Sequence, residues 1–344
     1  MTPRPDLSVV IPTHDRPADL ELVIDALMHQ QTDGLTYEVI VVDNNSRGET
    51  REVVERAIAK GTPVPLIYVR EPRPGVSYAR NTGASIARAP LIGFLDDDGV
   101  PTSTWVREIT RAFDEHPGFD CIGGRVRPIW RTPPPSWMTP AQYGPIAIQD
   151  RAEPFVFDRD HATSCLSSAN LACRREAFEE VGGFSPVYLR SQDREFGLRL
   201  WEAGKRGLYL PIADVLVEVP ANRLTKAYHR QWQSVVAHYA AIMRYRDRID
   251  PEGRLVPDGM YRTFLAVPRF MYRECLVHIG RWLRAALTGR SDERFHHELR
   301  LRYYFSYFRT RWATARGASP RRRTLNNGVP HKSGTGVRAP VARS

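Results

Sequence analysis

The chain has 344 residues, 42% of them hydrophobic, and a formal net charge of +10. That length holds two domains, or one large domain with appendages, and enough apolar material for a proper core. Four cysteines without CxxC pairing or zinc spacing argue against a disulfide framework, and no uncharged apolar run approaches the roughly 18–20 residues of a membrane span.

The charge is unevenly spread. Residues 1–220 carry 24 Lys/Arg against 31 Asp/Glu, residues 221–315 carry 18 against 8, and residues 316–344 carry 7 against none. An acidic front and a basic back suggest an anionic surface near the C-terminal half. Met1-Thr2-Pro3-Arg4-Pro5-Asp6 runs straight into a strand without an apolar signal segment, so the expected location is cytoplasmic, with buried, reduced thiols.

Leu7–Ile11 is apolar and β-branched and reads as a buried strand ended by Pro12. A helix follows over Asp15–Gln31, with Leu20, Val23, Ile24, Leu27 and Met28 on one stripe. Glu38–Val42 is a second strand, Thr50–Lys60 a helix and Pro65–Val69 a third strand. Gly75–Ala89 is a turn and helix, and Leu91–Leu95 a fourth strand. Strands alternating with helices predict an α/β fold with a mainly parallel sheet.

The fourth strand ends in Asp96-Asp97-Asp98-Gly99. Three adjacent acids repel one another, and a hard divalent cation such as Mn²⁺ or Mg²⁺ offsets them well, because it takes oxygen ligands and a diphosphate can complete its shell. A solvated acidic turn is the competing interpretation. In parallel sheets ligands sit outside the carboxyl ends of the strands, where Thr13, Asp43 and Asp96–Asp98 all fall. Neither GxGxxG nor GxxxxGK[ST] is present, so phosphate must be handled by other means, with a metal the leading candidate.

The segments VVIPTHDR, VIVVDNNS, GVSYARNTGASIARAPLIGFLDDDG, NLACRREAFEEVGGF and SQDREFGLRLWEAG occur in this order over about residues 7–222. Together they resemble a family-2 inverting glycosyltransferase. The resemblance implies a GT-A fold, a UDP-, GDP- or dTDP-linked sugar donor, and Mn²⁺ or Mg²⁺. It places Pro12, Thr13 and Asp15 along the nucleoside pocket, Asp43 on the base, and Arg80 and Asn81 beside the nucleotide. Asp96 and Asp98 match the two acids of a DxD motif, Asp96 serving the ribose or metal shell and Asp98 the metal, with Asp97 in the variable middle position. Asn170 matches a polar position near donor or acceptor. The general base of relatives follows a GGF turn in a Glu-Asp pair; here the pair is Gln192-Asp193, so Asp193 is the expected base. Asp193 or Glu195 could instead simply cap a helix. The metal-ligand histidine of relatives is missing from Leu216-Val217-Glu218-Val219-Pro220, which leaves Glu218 as a substitute, or Asp98 with phosphate and water.

Residues 131–140, rich in proline, cannot continue a helix or central strand and predict a loop near the active site. Trp130, Trp137 and Tyr143 either stack on sugars or, the preferred reading, anchor this loop. Three regions are expected: a catalytic domain over 1–222, a basic helical extension over 223–315 and a disordered tail over 316–344. In the extension, helices are predicted over Tyr228–Tyr245, Tyr261–Leu287 and Arg294–Trp312. In the second, Phe264, Val267, Met271, Cys275, Ile279, Trp282 and Ala286 share a face with arginines elsewhere, a pattern that fits either a bilayer interface or packing on the core.

The expectation is a metal-dependent glycosyltransferase acting on a glycan or lipid-linked acceptor, peripheral to the inner face of the cell membrane, with no nucleic acid partner. Two alternatives are a haloacid-dehalogenase-type phosphatase using Asp96 and Asp98, and a non-enzymatic basic protein binding nucleic acid.

Overall fold

The computed structural model describes residues 4–163 and 165–317. The expected tail therefore lies, beyond Gly317, outside the described residues. The alternation read from the sequence builds β1 (Leu7–Thr13), α1 (Pro17–Met28), β2 (Tyr37–Asp43), α2 (Thr50–Ala59), β3 (Leu66–Arg70), α3 (Val76–Ile86) and β4 (Leu91–Leu95). Next come β5 (Gly99–Pro101), α4 (Trp105–Glu115), β6 (Cys121–Gly123), β7 (Val126–Ile129) and β8 (Phe155–Phe157). They are followed by β9 (Asn170–Arg174), α5 (Arg175–Glu180), α6 (Gln192–Glu202), β10 (Gly207–Tyr209) and β11 (Val215–Glu218). Three helices close the described chain: α7 (Lys226–Ile242), α8 (Arg269–Leu287) and α9 (Ser291–Ala315).

The main sheet has the order β3-β2-β1-β4-β9-β6-β10-β8. Its first four strands are parallel, and β9 and β8 run against the rest. A smaller sheet, β5-β11-β7, lies beside it. Strand order reverses between β1 and β4, so a crevice opens there. Two-residue periodicity sorts the core. Val10, Ile40, Val42, Ile92 and Phe94 face one apolar cluster, while Leu7, Val9, Ile11, Val39 and Val41 face the other. Gly83 of α3 lies so close to β1 that a Cβ there would sit 2.3 Å from Val10 Cγ1, which explains a glycine inside a helix.

Some boundaries shift. Pro12 lies inside β1 rather than ending it, because the β4 ladder stops at Val10–Phe94 and only β2 accompanies the last residues. Helix α1 starts two residues late, since Asp15 takes a positive φ of 53° and Pro17 seeds the first turn. The helix expected from Tyr261 begins only at Arg269, after a short hairpin pairing Thr263–Phe264 with Val267–Pro268.

The basic extension packs on the core. Tyr245, Val267, Met271, Cys275, Tyr303, Tyr304, Tyr307 and Phe308 join the cluster that contains Phe94, Phe184 and Trp201. Each such side chain contributes about 1.5–3 kcal/mol by leaving water. Of the two readings the sequence leaves open for this face, packing on the core holds: Val267, Met271 and Cys275 are turned inward and buried, and Ile279 packs partly against them. Among the described residues no helix is long and apolar enough to cross a membrane.

Candidate active site

A cavity of about 950 Å³ opens at the carboxyl ends of β1 and β4. One end is lined by Pro12, Thr13, Arg16, Asn44, Arg80 and Asp96–Asp98, the other by residues 140–151, Ser167–Ala169, Leu189–Arg194, Tyr228 and Trp232. The site residues Pro12, Thr13, Arg80, Asp96, Asp97, Asp98 and Asp193 thus come together in one cleft.

At the end of β4 each of the three acids is held by an arginine. Arg80 Nη2 donates to Asp96 Oδ1 at 2.7 Å, and Arg16 Nη1 donates to Asp97 Oδ1 at 3.2 Å and Asp98 Oδ2 at 2.5 Å. Burial pushes the Asp96 carboxyl up; Arg80 opposes this, while Asp98 and Asp193 reinforce it. Burial likewise pushes Asp97 up to about 7 against the pull of Arg16. Asn44 steadies the wall: its side chain donates to Arg73 O at 2.7 Å and accepts from Gly75 N–H at 2.8 Å.

Asp193 is differently placed. It lies in the first turn of α6, after Ser191 in the left-handed region at φ 61°. The Ser168 hydroxyl donates to its Oδ1 at 3.1 Å and the Ser168 N–H to its Oδ2 at 3.3 Å. Among the described residues Asp193 is fixed by neutral donors, with no arginine partner, and it lines the cleft. Glu195 has another task. Arg199 grips both its oxygens, at 2.7 and 2.8 Å, while also donating to Gly183 O at 2.6 Å. That pins the GGF turn to α6.

Several expected residues lie elsewhere. Asn170 is fully buried, accepting from Trp105 Nε1 at 2.9 Å and donating to Arg125 O and Ala213 O, both at 2.8 Å. It ties β9 to the small sheet and does not line the cleft. Asn81 is likewise spent, exchanging hydrogen bonds of 2.8 and 2.9 Å with the Phe184 backbone. Gly183 beside it has φ 67°, and a Cβ there would meet Asn81 Oδ1 at 2.7 Å. Asp15 caps the Arg47 N–H at 2.7 Å, outside the cleft lining. Asp43 lines a neighbouring cavity of about 560 Å³ with Ser46, Arg51, Tyr68 and Arg70, and accepts from Tyr68 OH at 2.7 Å. Burial and that hydrogen bond raise the Tyr68 hydroxyl to about 12.

Trp137 packs on His229 and Phe295 with ring centroids 5.0 and 4.9 Å away, so it anchors the proline-rich loop, and Tyr143 of the same region reaches the cleft. Sequence reasoning passed over Arg16, Asn44 and Ser168, although Arg16 stood in the quoted VVIPTHDR and its charge beside a strand end was a usable signal.

Glu218, the expected substitute for the missing histidine, pairs with Arg131 at 2.5 Å and is not among the residues lining the cleft. Among the described residues no group of three or more His, Cys, Asp or Glu side chains is arranged to hold a metal ion. The donors that fit a hard cation are the carboxylates of Asp96 and Asp98, with ligand phosphate or water left to complete its shell.

This sheet order, with acids at the switch point, is the GT-A fold. The Pyrobaculum calidifontis mannosyltransferase PcManGT, solved with GDP-Man and Mn²⁺, superposes with a TM-score of 0.59 at 18% identity, covering 90% of this chain and 88% of that one. Staphylococcus aureus TarS 1–349 with UDP-GlcNAc gives 0.51 at 15% identity, covering 96% and 99%. Residues 8–182 match the family model described as glycosyl transferase family 2, and the chain belongs to that family. A pre-mycofactocin glycosyltransferase of Mycobacterium tuberculosis is 29% identical over 212 residues, 61% of this chain and 42% of the relative. Glycosyltransferase AglE of Haloferax volcanii is 26% identical over 200 residues, 58% of this chain and 62% of the relative. The chain thus spans less than two thirds of either relative's length.

Proposed function

We propose that the protein is a metal-dependent inverting glycosyltransferase that moves a sugar from a nucleotide donor to a glycan or lipid-linked acceptor. One observation carries this reading: the Asp96/Asp98 pair and the separately held Asp193 open on a single cleft. The phosphatase alternative needs Asp96 free as a nucleophile, whereas Arg80 holds it, and family membership favours sugar transfer.

In this reading Pro12 and Thr13 border the nucleoside and Asp43 serves the base from the adjoining cavity. Arg80 and Arg16 hold Asp96–Asp98 in place and add positive charge beside the donor's diphosphate. Asp96 and Asp98 would hold Mn²⁺ or Mg²⁺, which when bound supplies positive charge for the departing diphosphate. Asp193, oriented by Ser168, takes the proton of the acceptor hydroxyl. The acceptor oxygen then bonds to C1 from the face opposite the leaving group, and the C1–O electrons depart with the nucleoside diphosphate. Backside attack gives inversion. The solved neighbours with GDP-Man or UDP-GlcNAc support a nucleotide-sugar donor, and the Mn²⁺ in the former supports a divalent cation.

The outward side of α8 supports a peripheral site at an anionic membrane surface inside the cell. Leu276, Leu283 and Leu287 are 68%, 50% and 88% exposed there, among exposed Arg273, Arg281 and Arg284. Co-sedimentation with phosphatidylglycerol vesicles, and not with neutral ones, is the expected result; no binding to either removes the membrane from the proposal.

The decisive test is a thermal-shift panel of UDP-, GDP- and dTDP-sugars with and without Mn²⁺ or Mg²⁺. One donor class should raise Tm in a metal-dependent way, and Asp98→Ala should abolish the metal dependence. A flat panel defeats the reading.

A further inference from the structure

Six arginines line the cleft, and they divide into two kinds. Arg16 and Arg80 are spent on Asp96–Asp98. Arg223 has no ion pair among the described residues but acts on Asp19, the residue that Arg16 also pairs with. The other three, Arg151, Arg190 and Arg194, have no carboxylate partner among the described residues.

All three line the same cleft as Asp193. Arg190 and Arg194 flank Asp193 in the chain, at the turn into α6. Arg194, Asp193 and Arg151 all act on the thiol of Cys165, which also lines the cleft. Two of the guanidinium groups are seated on aromatic faces, Arg194 over Tyr245 at 4.7 Å and Arg151 over Phe155 at 4.8 Å. A guanidinium seated in this way is held in orientation. Arg194 also hydrogen-bonds the Cys165 thiol, whereas Arg151 and Arg190 have no ion pair among the described residues and can offer their N–H edges to a bidentate oxyanion. An oxyanion entering the cleft would meet these guanidinium groups in place of water.

We propose that the acceptor carries an anionic group, a phosphate or a carboxylate, and that Arg151, Arg190 and Arg194 form its subsite beside Asp193. This rests on the glycosyltransferase reading and adds the class of acceptor. The donor's diphosphate is not the anion meant, because its charges are met at the strand ends. Anchoring the acceptor's charge here presents a neighbouring hydroxyl to Asp193, so that recognition and proton removal occur on one short segment, residues 190–194.

The test uses the full chain, first saturated with Mn²⁺ and UDP or GDP, whichever binds. Calorimetry then compares glucose 6-phosphate, glucuronate and glucose, which differ chiefly in charge. At least one charged sugar should bind about tenfold or more tighter than glucose. Arg190→Gln and Arg151→Gln should each weaken it about tenfold, the scale of a lost charge-assisted hydrogen bond, with Arg190→Lys recovering part. Preference for the phosphate or for the carboxylate identifies which oxyanion the subsite takes. Equal binding of all three sugars overturns the proposal. So does loss of charged-sugar binding once nucleotide is present, since the arginines would then belong to the donor. Failure of every nucleotide to bind strikes the donor reading instead, and the three sugars are then compared on the unliganded protein. Arg194 is kept for a second series, because truncating it beneath the buried Tyr245 endangers the fold.

Discussion

The two ends of the cleft hold their charges in opposite ways. At the strand ends, Asp96, Asp97 and Asp98 are locked to Arg80 and Arg16 at 2.5–3.2 Å. Across the cleft, Asp193 rests on the neutral donors of Ser168, and Arg151, Arg190 and Arg194 lack acidic partners among the described residues. An acid neutralised by arginine serves as scaffold or ligand holder, whereas a base has to remain available for a proton. Chemistry is therefore expected at the second end and charge stabilisation at the first.

The sharpest way to break this contrast is Asp193→Asn. The amide keeps the shape but cannot accept the proton, so kcat should fall by about 10³-fold, within the range for a lost general base. Nucleotide affinity, measured by calorimetry, should move less than twofold. Asp98→Ala should do the reverse, weakening Mn²⁺-dependent nucleotide binding by about 10²-fold through loss of a charged oxygen ligand. If both variants lose nucleotide binding equally, the two ends are not separate in function.

Asn170→Ala sits outside the contrast and checks its boundary. It strands the Trp105 N–H and two carbonyls inside the core, at a cost of about 3 kcal/mol in a urea titration. The protein that remains folded should keep its nucleotide affinity. That residue also shows what the sequence could and could not convey. The β-α alternation and the switch-point acids were legible, because strand periodicity and strand-end position are local signals; Asp193 comes only from the resemblance to the family, through the Gln192-Asp193 pair after the GGF turn. Asn170 and Asn81 sat in the same matched segments, yet they are staples. Whether a polar side chain turns to the cleft or to a backbone carbonyl on another element depends on tertiary contacts that adjacent residues do not encode. Met271 and Cys275 leave two readings open for a related reason: an apolar helix stripe looks alike whether it meets lipid or the core, and here it joins the buried cluster beside α9.

Acid should weaken the acceptor end. His229 is fully buried on α7 beneath Trp137, and burial lowers it to about 4 from 6.5. The unfolded chain therefore binds a proton between these values and the folded chain does not. The stabilisation is complete above pH 6.5 and is lost as pH falls toward 4. Between pH 7.5 and 5 the loss should be on the order of 2 kcal/mol. His229→Phe keeps a flat ring against Trp137 and should remove much of this slope in urea titrations at the two pH values. A residual slope belongs to His278, lowered to about 4 by burial, with Arg300 and His297 adding to it, and to Asp97, raised to about 7, which takes up a proton on folding and so works in the opposite direction. An unchanged slope in His229→Phe would place the acid-sensitive group elsewhere.

Ser168→Ala is the mildest change and the most discriminating. It removes one of two hydrogen bonds to Asp193 and leaves the backbone N–H in place. If Ser168 only orients the carboxylate, the residual bond and the helix geometry retain most of the alignment. The drop in kcat should then be about 5–10-fold, the scale of one hydrogen bond to a charged group, with nucleotide affinity unmoved. Ser168→Thr, which restores the hydroxyl, should recover part of the rate provided its methyl fits the wall. A fall as deep as that of Asp193→Asn would mean that the hydroxyl itself takes part in proton transfer. No fall at all would mean that Asp193 is positioned by α6 alone, and the neutral anchorage that distinguishes this end of the cleft would carry no weight in catalysis.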